Sequence, residues 1–112
     1  MERWARTQFK GYEVSSQGRV RSWWKSGRGK NFRDEPRILS QRPNYKGYMR
    51  VTVGGVERRV ACLVLDAFRG PRPKPHYHAR HLNGDSSDCR LRHLAWGTPK
   101  QNAADKIRHG TY

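Results

Sequence analysis

Four side chains near the C-terminal end of this chain have types and spacing that could do chemistry. His81 stands ahead of a polar loop, His93 just before Leu94-Ala95-Trp96, and Asn102 and Asp105 inside a well-signalled helix. An unperturbed imidazole titrates at about pH 6.5, so a neutral histidine can take up a proton under physiological conditions. Asn102, Asp105 and His109 are spaced by three and four, which puts them on one helical face together with Lys106. A lone histidine is most often an ordinary, partly buried one. It is the ordered set of His81, Trp96 and Asn102 that argues for more.

The elements that must position these groups read as strand, loop, strand, helix. Residues 76–82 predict a strand with His76, His78 and Arg80 on one face and Tyr77, Ala79 and His81 on the other, so the histidines do not all converge. His76 and His78 are expected to be surface residues or phosphate contacts. Asn83 to Asp88 is a run of turn formers, and Leu91 to Trp96 is the returning strand, with Trp96 most simply in the core. Thr98, Pro99 and Gln101 predict a helix start with an N-cap, a proline at the first helical position and a capping box. That helix should run to about His109, whose imidazolium suits a helix C-terminus, with Gly110 as the stop.

Upstream, period-two alternation around Ser16-Gln17-Gly18 predicts a hairpin, with Val14 and Val20 inward and Arg19 and Arg21 sharing the outer face. Residues 24–36 lack periodicity and read as an exposed basic loop that orders on a phosphate backbone. A further strand pair is expected from Ile38-Leu39 and from Tyr48 to Val53, followed by a Gly54-Gly55 turn and a return strand to Val60. Residues 61–68 predict a short buried helix, ended by the proline-rich connector from Gly70 to Pro75.

At 112 residues the chain has room for one modest core. Lysine and arginine number 24 against 9 acidic residues, a net charge of +15 that costs self-repulsion unless a polyanion neutralises it. Nucleic acid is the partner this balance implies. The longest wholly apolar run, Val60 to Leu65, is far too short to span a bilayer, so a membrane protein is not expected and a cytoplasmic location is. Cys62, in an apolar run, and Cys89, in a polar loop, have neither the spacing of a zinc site nor the density of a disulfide scaffold; both are expected to be reduced.

The sequences His81-Leu82-Asn83-Gly84, His93-Leu94-Ala95-Trp96-Gly97-Thr98 and Gln101-Asn102 resemble the HNH endonucleases of phage and intron origin. The stretch from Gly11 to Ser22, preceded by Trp4, is similar to the nuclease-associated module that stands ahead of such enzymes, and Gly47 to Val51 together with Leu63 to Pro71 resemble their linking segment. The resemblance implies an α+β protein, in which a small antiparallel β-sheet module (residues 1–70) precedes a ββα-metal, or His-Me, finger (residues 71–112). It also implies hydrolysis of a DNA phosphodiester, with His81 as general base and a divalent metal, Mg2+ or Mn2+, stabilising the departing 3′ oxygen.

Asn102 falls where the family's helix supplies a metal ligand. His93 occupies a position usually held by asparagine, where the side chain braces the loop, so its expected role is structural with a possible share in catalysis. Arg80 is the departure: many relatives carry a metal-binding Asp or Asn there, which a guanidinium cannot replace. Either Asp105 supplies the missing carboxylate while Arg80 holds phosphate, or metal binding is weakened and the chain is a slow nuclease or only a binder. On spacing alone Asp105 could equally be a solvated helix residue pairing with Lys106 or Arg108. DNA contacts are expected from Arg19, Arg21, Lys46, Arg50 and Arg80.

A monomer that nicks one strand with relaxed sequence specificity is the reading adopted, and any phage packaging or replication partner is unknown. The rivals are a non-catalytic nucleic-acid-binding module that keeps the finger as scaffold, and a ribosomal-type RNA-binding protein. The latter explains the charge but not the ordered His81, His93 and Asn102.

Overall fold

A computed structural model describes residues 1–25 and 31–108, with side chains through residue 104. The chain is a mixed α+β structure with antiparallel sheets and a helix following the last strands. The first sheet has four strands in sequence order: β1 (Trp4–Arg6), β2 (Tyr12–Ser15), β3 (Val20–Trp24) and β4 (Phe32–Ile38). Val14 and Val20 face each other across β2 and β3 and are fully buried, as the alternation predicts. The turn between them is closed by the Ser15 hydroxyl, which accepts from the amides of Gln17 (3.2 Å) and Arg19 (3.1 Å).

β4 corrects the expected loop at residues 24–36. Its sequence is polar and carries Pro36, but it lies at the edge of the sheet, where one side of the backbone has no strand partner and proline is tolerated. Trp24 stacks on Phe32 at 4.6 Å and fixes the two strands where β3 is irregular. Residues 26–30 of that stretch lie outside the described residues.

The second sheet consists of β5 (Arg42–Pro43), β6 (Met49–Val53) and β7 (Val56–Arg59). Gly54 and Gly55, at φ 60° and 81°, make the expected two-residue turn between β6 and β7. The partner on the other side of β6 is β5 rather than Ile38-Leu39: Ile38 ends β4, and Leu39 donates its amide to Val20 in the first sheet. A two-residue turn fixes register from the inside, whereas a distant partner strand is chosen by tertiary packing.

β7 leads directly into α1 (Val60–Arg69), which buries Val60, Ala61, Leu63, Val64 and Leu65. Each aliphatic side chain removed from water contributes about 1.5–3 kcal/mol, so this helix is the apolar centre of the molecule. Gly70 ends it at φ 87°. The finger follows as β8 (His78–His81), a single 3-10 turn (Leu91–His93), β9 (Leu94–Gly97) and α2 (Pro99–Arg108). The strand expected from residue 76 begins at His78, and the returning strand is shortened because Leu91 to His93 coil inward to bury Leu91.

One cluster joins Val14 and Val20, Val51 and Val53, the α1 side chains, and Ala79, Cys89, Leu91 and Leu94 of the finger. Cys89 is therefore a core residue, and burial pushes its thiol up to about 12. Cys62 is only partly buried, and neither cysteine is in a disulfide. At Gly18 (φ 83°) the hairpin turn approaches the Cys89 backbone so closely that a Cβ would meet its carbonyl carbon at 2.9 Å. The Leu91 amide donates to the Ser16 carbonyl beside it, at 2.9 Å. No helix among the described residues is long and apolar enough to cross a membrane.

Candidate active site

β8 alternates as expected: Ala79 and His81 are buried, His78 is exposed and Arg80 lies between. His81 pairs with Leu94 across the hairpin, and its ring is only 9% exposed. His81 Nε2 is buried and has no hydrogen-bond partner among the described residues. Burial, reinforced by the positive charge of Arg59, pushes the His81 pKa down to about 4 against the weaker pull of Asp85 and Asp88. The imidazole is thus neutral at pH 7 with a lone acceptor or donor position unspent, which is costly in a core and useful in a proton-transfer site.

The loop after β8 is held by carboxylates. The Asn83 side chain accepts from the Asp85 amide (3.1 Å), Asp85 accepts from the Ser87 hydroxyl (2.6 Å), and Asn83 donates to Asp88 (2.8 Å). Arg90 grips Asp88 with two bonds of 2.9 and 2.8 Å, keeping that carboxyl well below the usual range. His93 Nε2 lies 3.8 Å from the same carboxylate, and the His93 carbonyl accepts from the Leu82 amide at 2.7 Å. His93 is therefore placed where it can brace the loop just behind His81.

α2 starts with a capping box: the Thr98 amide donates to Gln101 Oε1 (2.9 Å), and the Gln101 amide donates to Thr98 Oγ1 (3.2 Å). The helix packs against β8, the strand that carries Arg80 and His81, and Asn102 on this helix is partly buried. The backbone of α2 sets Asp105 one turn further along the same face, but its side chain lies outside the described residues, as does that of Lys106; His109 and Gly110 lie outside them altogether. The Arg80 stem crosses β9 over Gly97, where a Cβ would meet Arg80 Cδ at 1.9 Å.

Among the described residues no group of three His, Cys, Asp or Glu side chains could hold a metal ion. By residue type, Asn102 and Asp105 would offer an amide oxygen and a carboxylate. These suit a hard cation such as Mg2+, which keeps several waters and completes its shell with substrate phosphate oxygens. The donor chemistry fits such an ion in kind, with Arg80 contributing nothing to it.

Two residues that the sequence reading missed stand beside His81. The Tyr48 ring lies 5.6 Å from the His81 ring, and the Arg59 guanidinium sits 4.1 Å over the same Tyr48 ring. Ser86 Oγ donates to the Gly47 carbonyl (3.2 Å), docking the β5–β6 turn on the finger loop and so bringing Tyr48 in. The signal for Arg59 was present: a two-residue turn at Gly54-Gly55 fixes Arg50 opposite Arg59 on one face.

The expected DNA-contact residues differ in their surroundings. Arg19 binds Glu2 (2.8 Å) and holds that carboxyl down at about 2; Arg21 binds Glu13 (2.8 Å) and lies over Trp4 (3.9 Å). Arg50 is paired with Glu57 (2.6 Å), and Lys46 is exposed beside Tyr45.

The HNH endonuclease family model matches residues 59–104. The chain is similar to a solved structure of the HNH homing endonuclease I-HmuI, described as showing DNA binding and cleavage, at 26% identity and a TM-score of 0.73. That match covers 98% of this chain and 60% of the other, so this chain spans less than two thirds of the homing enzyme's length. No curated protein matches the chain.

Proposed function

We propose that this chain, whose residues 59–104 match the HNH endonuclease family model, is a DNA endonuclease that nicks one strand. The observation that carries the reading is the buried, neutral imidazole of His81, whose Nε2 has no hydrogen-bond partner among the described residues, on the strand against which the helix bearing Asn102 packs. HNH nucleases in general depend on a divalent metal. Asn102 and Asp105 are the residues assigned to hold it, as Mg2+ or Mn2+, where it would polarise the phosphate and stabilise the departing 3′ oxygen.

His81 accepts the proton of a water as its oxygen bonds to phosphorus and the bond from phosphorus to the 3′ oxygen breaks. A base already neutral at pH 7 needs no prior deprotonation. His93 acts by positioning the loop through Asp88 and Leu82. Arg80, Arg50, Lys46, Arg19 and Arg21 contact phosphate, with Glu2, Glu13 and Glu57 offsetting part of the charge of Arg19, Arg21 and Arg50.

Incubating supercoiled plasmid with Mg2+ or Mn2+ tests this directly. Relaxed circles should form, disappear with chelator and be absent for His81→Ala while DNA binding persists. Arg80, at a position where relatives carry a ligand, favours the second reading of a non-catalytic binder. Wild-type protein that binds DNA but nicks with neither metal would establish it.

A further inference from the structure

One face of the second sheet carries arginines in a row. In register, Arg42 on β5 stands opposite Arg50 on β6, and Arg50 opposite Arg59 on β7. Like charges directly opposite one another across strands are destabilising, so a row of three needs compensation. Glu57 supplies part of it, bonding Arg42 at 2.8 Å and Arg50 at 2.6 Å. Arg59 receives none: its side chain makes no hydrogen bond or ion pair among the described residues, and its Nε is buried without a partner.

What holds Arg59 is the Tyr48 ring at 4.1 Å, with His81 against the same ring. A guanidinium seated over an aromatic ring is restrained in position without spending its N–H donors, which stay available for an oxyanion. At the far end of the row, Arg42 and Arg50 line a groove of about 380 Å³ between the two sheets, with Arg37 of β4 on its other wall.

We propose that Arg59, seated on Tyr48, is the residue that presents the reacting phosphate to His81, and that Arg50 and Arg42 continue from it as a track for the backbone of the same DNA strand. The inference rests on the reading that the chain acts on DNA. It adds the direction in which the strand crosses the protein, from the groove between the sheets to the base. Arg59 and Arg42 then have different duties. The first fixes the reacting group, and the second only adds affinity.

The test uses Arg59→Ala, Arg59→Lys and Arg42→Ala in the full chain, with thermal melting as a control. Binding to a short duplex is followed over a salt series in chelator, where nothing is cut. Each lost phosphate contact should make the log-log salt slope shallower by about 0.9, so both alanine variants should show that change. In the plasmid assay Arg59→Ala and Arg59→Lys should lower kcat at least tenfold. Lysine restores the slope but not the rate, because an ammonium lacks the planar fork; Arg42→Ala should raise KM and leave kcat unchanged.

Should Arg59→Ala fail to fold, the split between Arg59→Lys and Arg42→Ala decides the matter. Unchanged slopes in the alanine variants, or wild-type kcat in Arg59→Lys, would overturn the proposal. Failure of wild-type protein to bind DNA would remove this inference and the nuclease reading together. A slope change with no nicking by wild type would sink the nuclease reading and leave the phosphate track standing.

Discussion

The arginines of the first hairpin and those of the second sheet look alike in the sequence and differ in the fold. Arg19 and Arg21 are bound to Glu2 and Glu13, and Arg21 also lies over Trp4 and Trp23. Burial works against the charge on Glu13, yet the bonds from Trp23 and Arg21 leave its pKa lowered. Arg59 has an aromatic seat and no acid. Arg19 and Arg21 are part of the frame, whereas Arg59 shares the Tyr48 ring with His81, and Arg42 and Arg50, both bonded to Glu57, continue the row from it. A count of positive charge cannot tell these apart, because it records neither the carboxylates nor the aromatic rings that each guanidinium meets.

The comparison can be broken most sharply at His81. His81→Ala should reduce the nicking rate by roughly 10²- to 10⁴-fold, the range for removing a general base, with DNA affinity kept. Equal loss of affinity would mean that His81 belongs to the frame. The pH dependence of stability gives the next largest effect. With a folded pKa of about 4 against about 6.5 unfolded, the unfolded chain alone binds a proton between those values. Stability therefore rises with pH across that window and falls by on the order of 3 kcal/mol as pH drops through it.

The lowered carboxyls of Glu2 and Asp88 act in the same direction at more acid pH. Denaturant titrations of wild type and His81→Ala should differ between pH 6.5 and 4, the variant being flatter there. In the same way the acid limb of kcat/KM should lie near pH 4, well below an ordinary histidine.

On the frame side, Gly18→Ala should cost about 2 kcal/mol. It adds the strain of a positive φ to a clash with the Cys89 backbone that cannot swing aside. The measurement is the urea midpoint. Arg21→Ala should cost about 1 kcal/mol through the lost ion pair and stacking, lowering the melting temperature by a few degrees with little change in the salt slope of DNA binding. A change of about 0.9 in that slope, with stability intact, would take Arg21 out of the frame and erase the distinction.

Much of the finger was legible because its signals are local. The Thr98–Gln101 capping box, the alternation that buries Ala79 and His81, and the glycine turn at Gly54-Gly55 are all fixed by residues within a few positions of one another. The misread stretches are those whose structure depends on distant partners. β4 is polar between Phe32 and Ile38 and is a strand because β3 offers it a backbone edge, and Cys89 sits in a polar sequence but is covered by the hairpin at Gly18.

The sequence by itself determined the order of His81, His93 and Asn102, the strand and helix that carry them, and the positive charge that calls for a polyanion. Only the tertiary structure decided which arginines are already bonded and which are not. It also brought Tyr48 and Arg59, from the sheet before α1, to a histidine on the strand after it. Type and spacing set what a side chain can do, but burial and partners, which set its pKa and its free donors, arise only when separate elements close on one another.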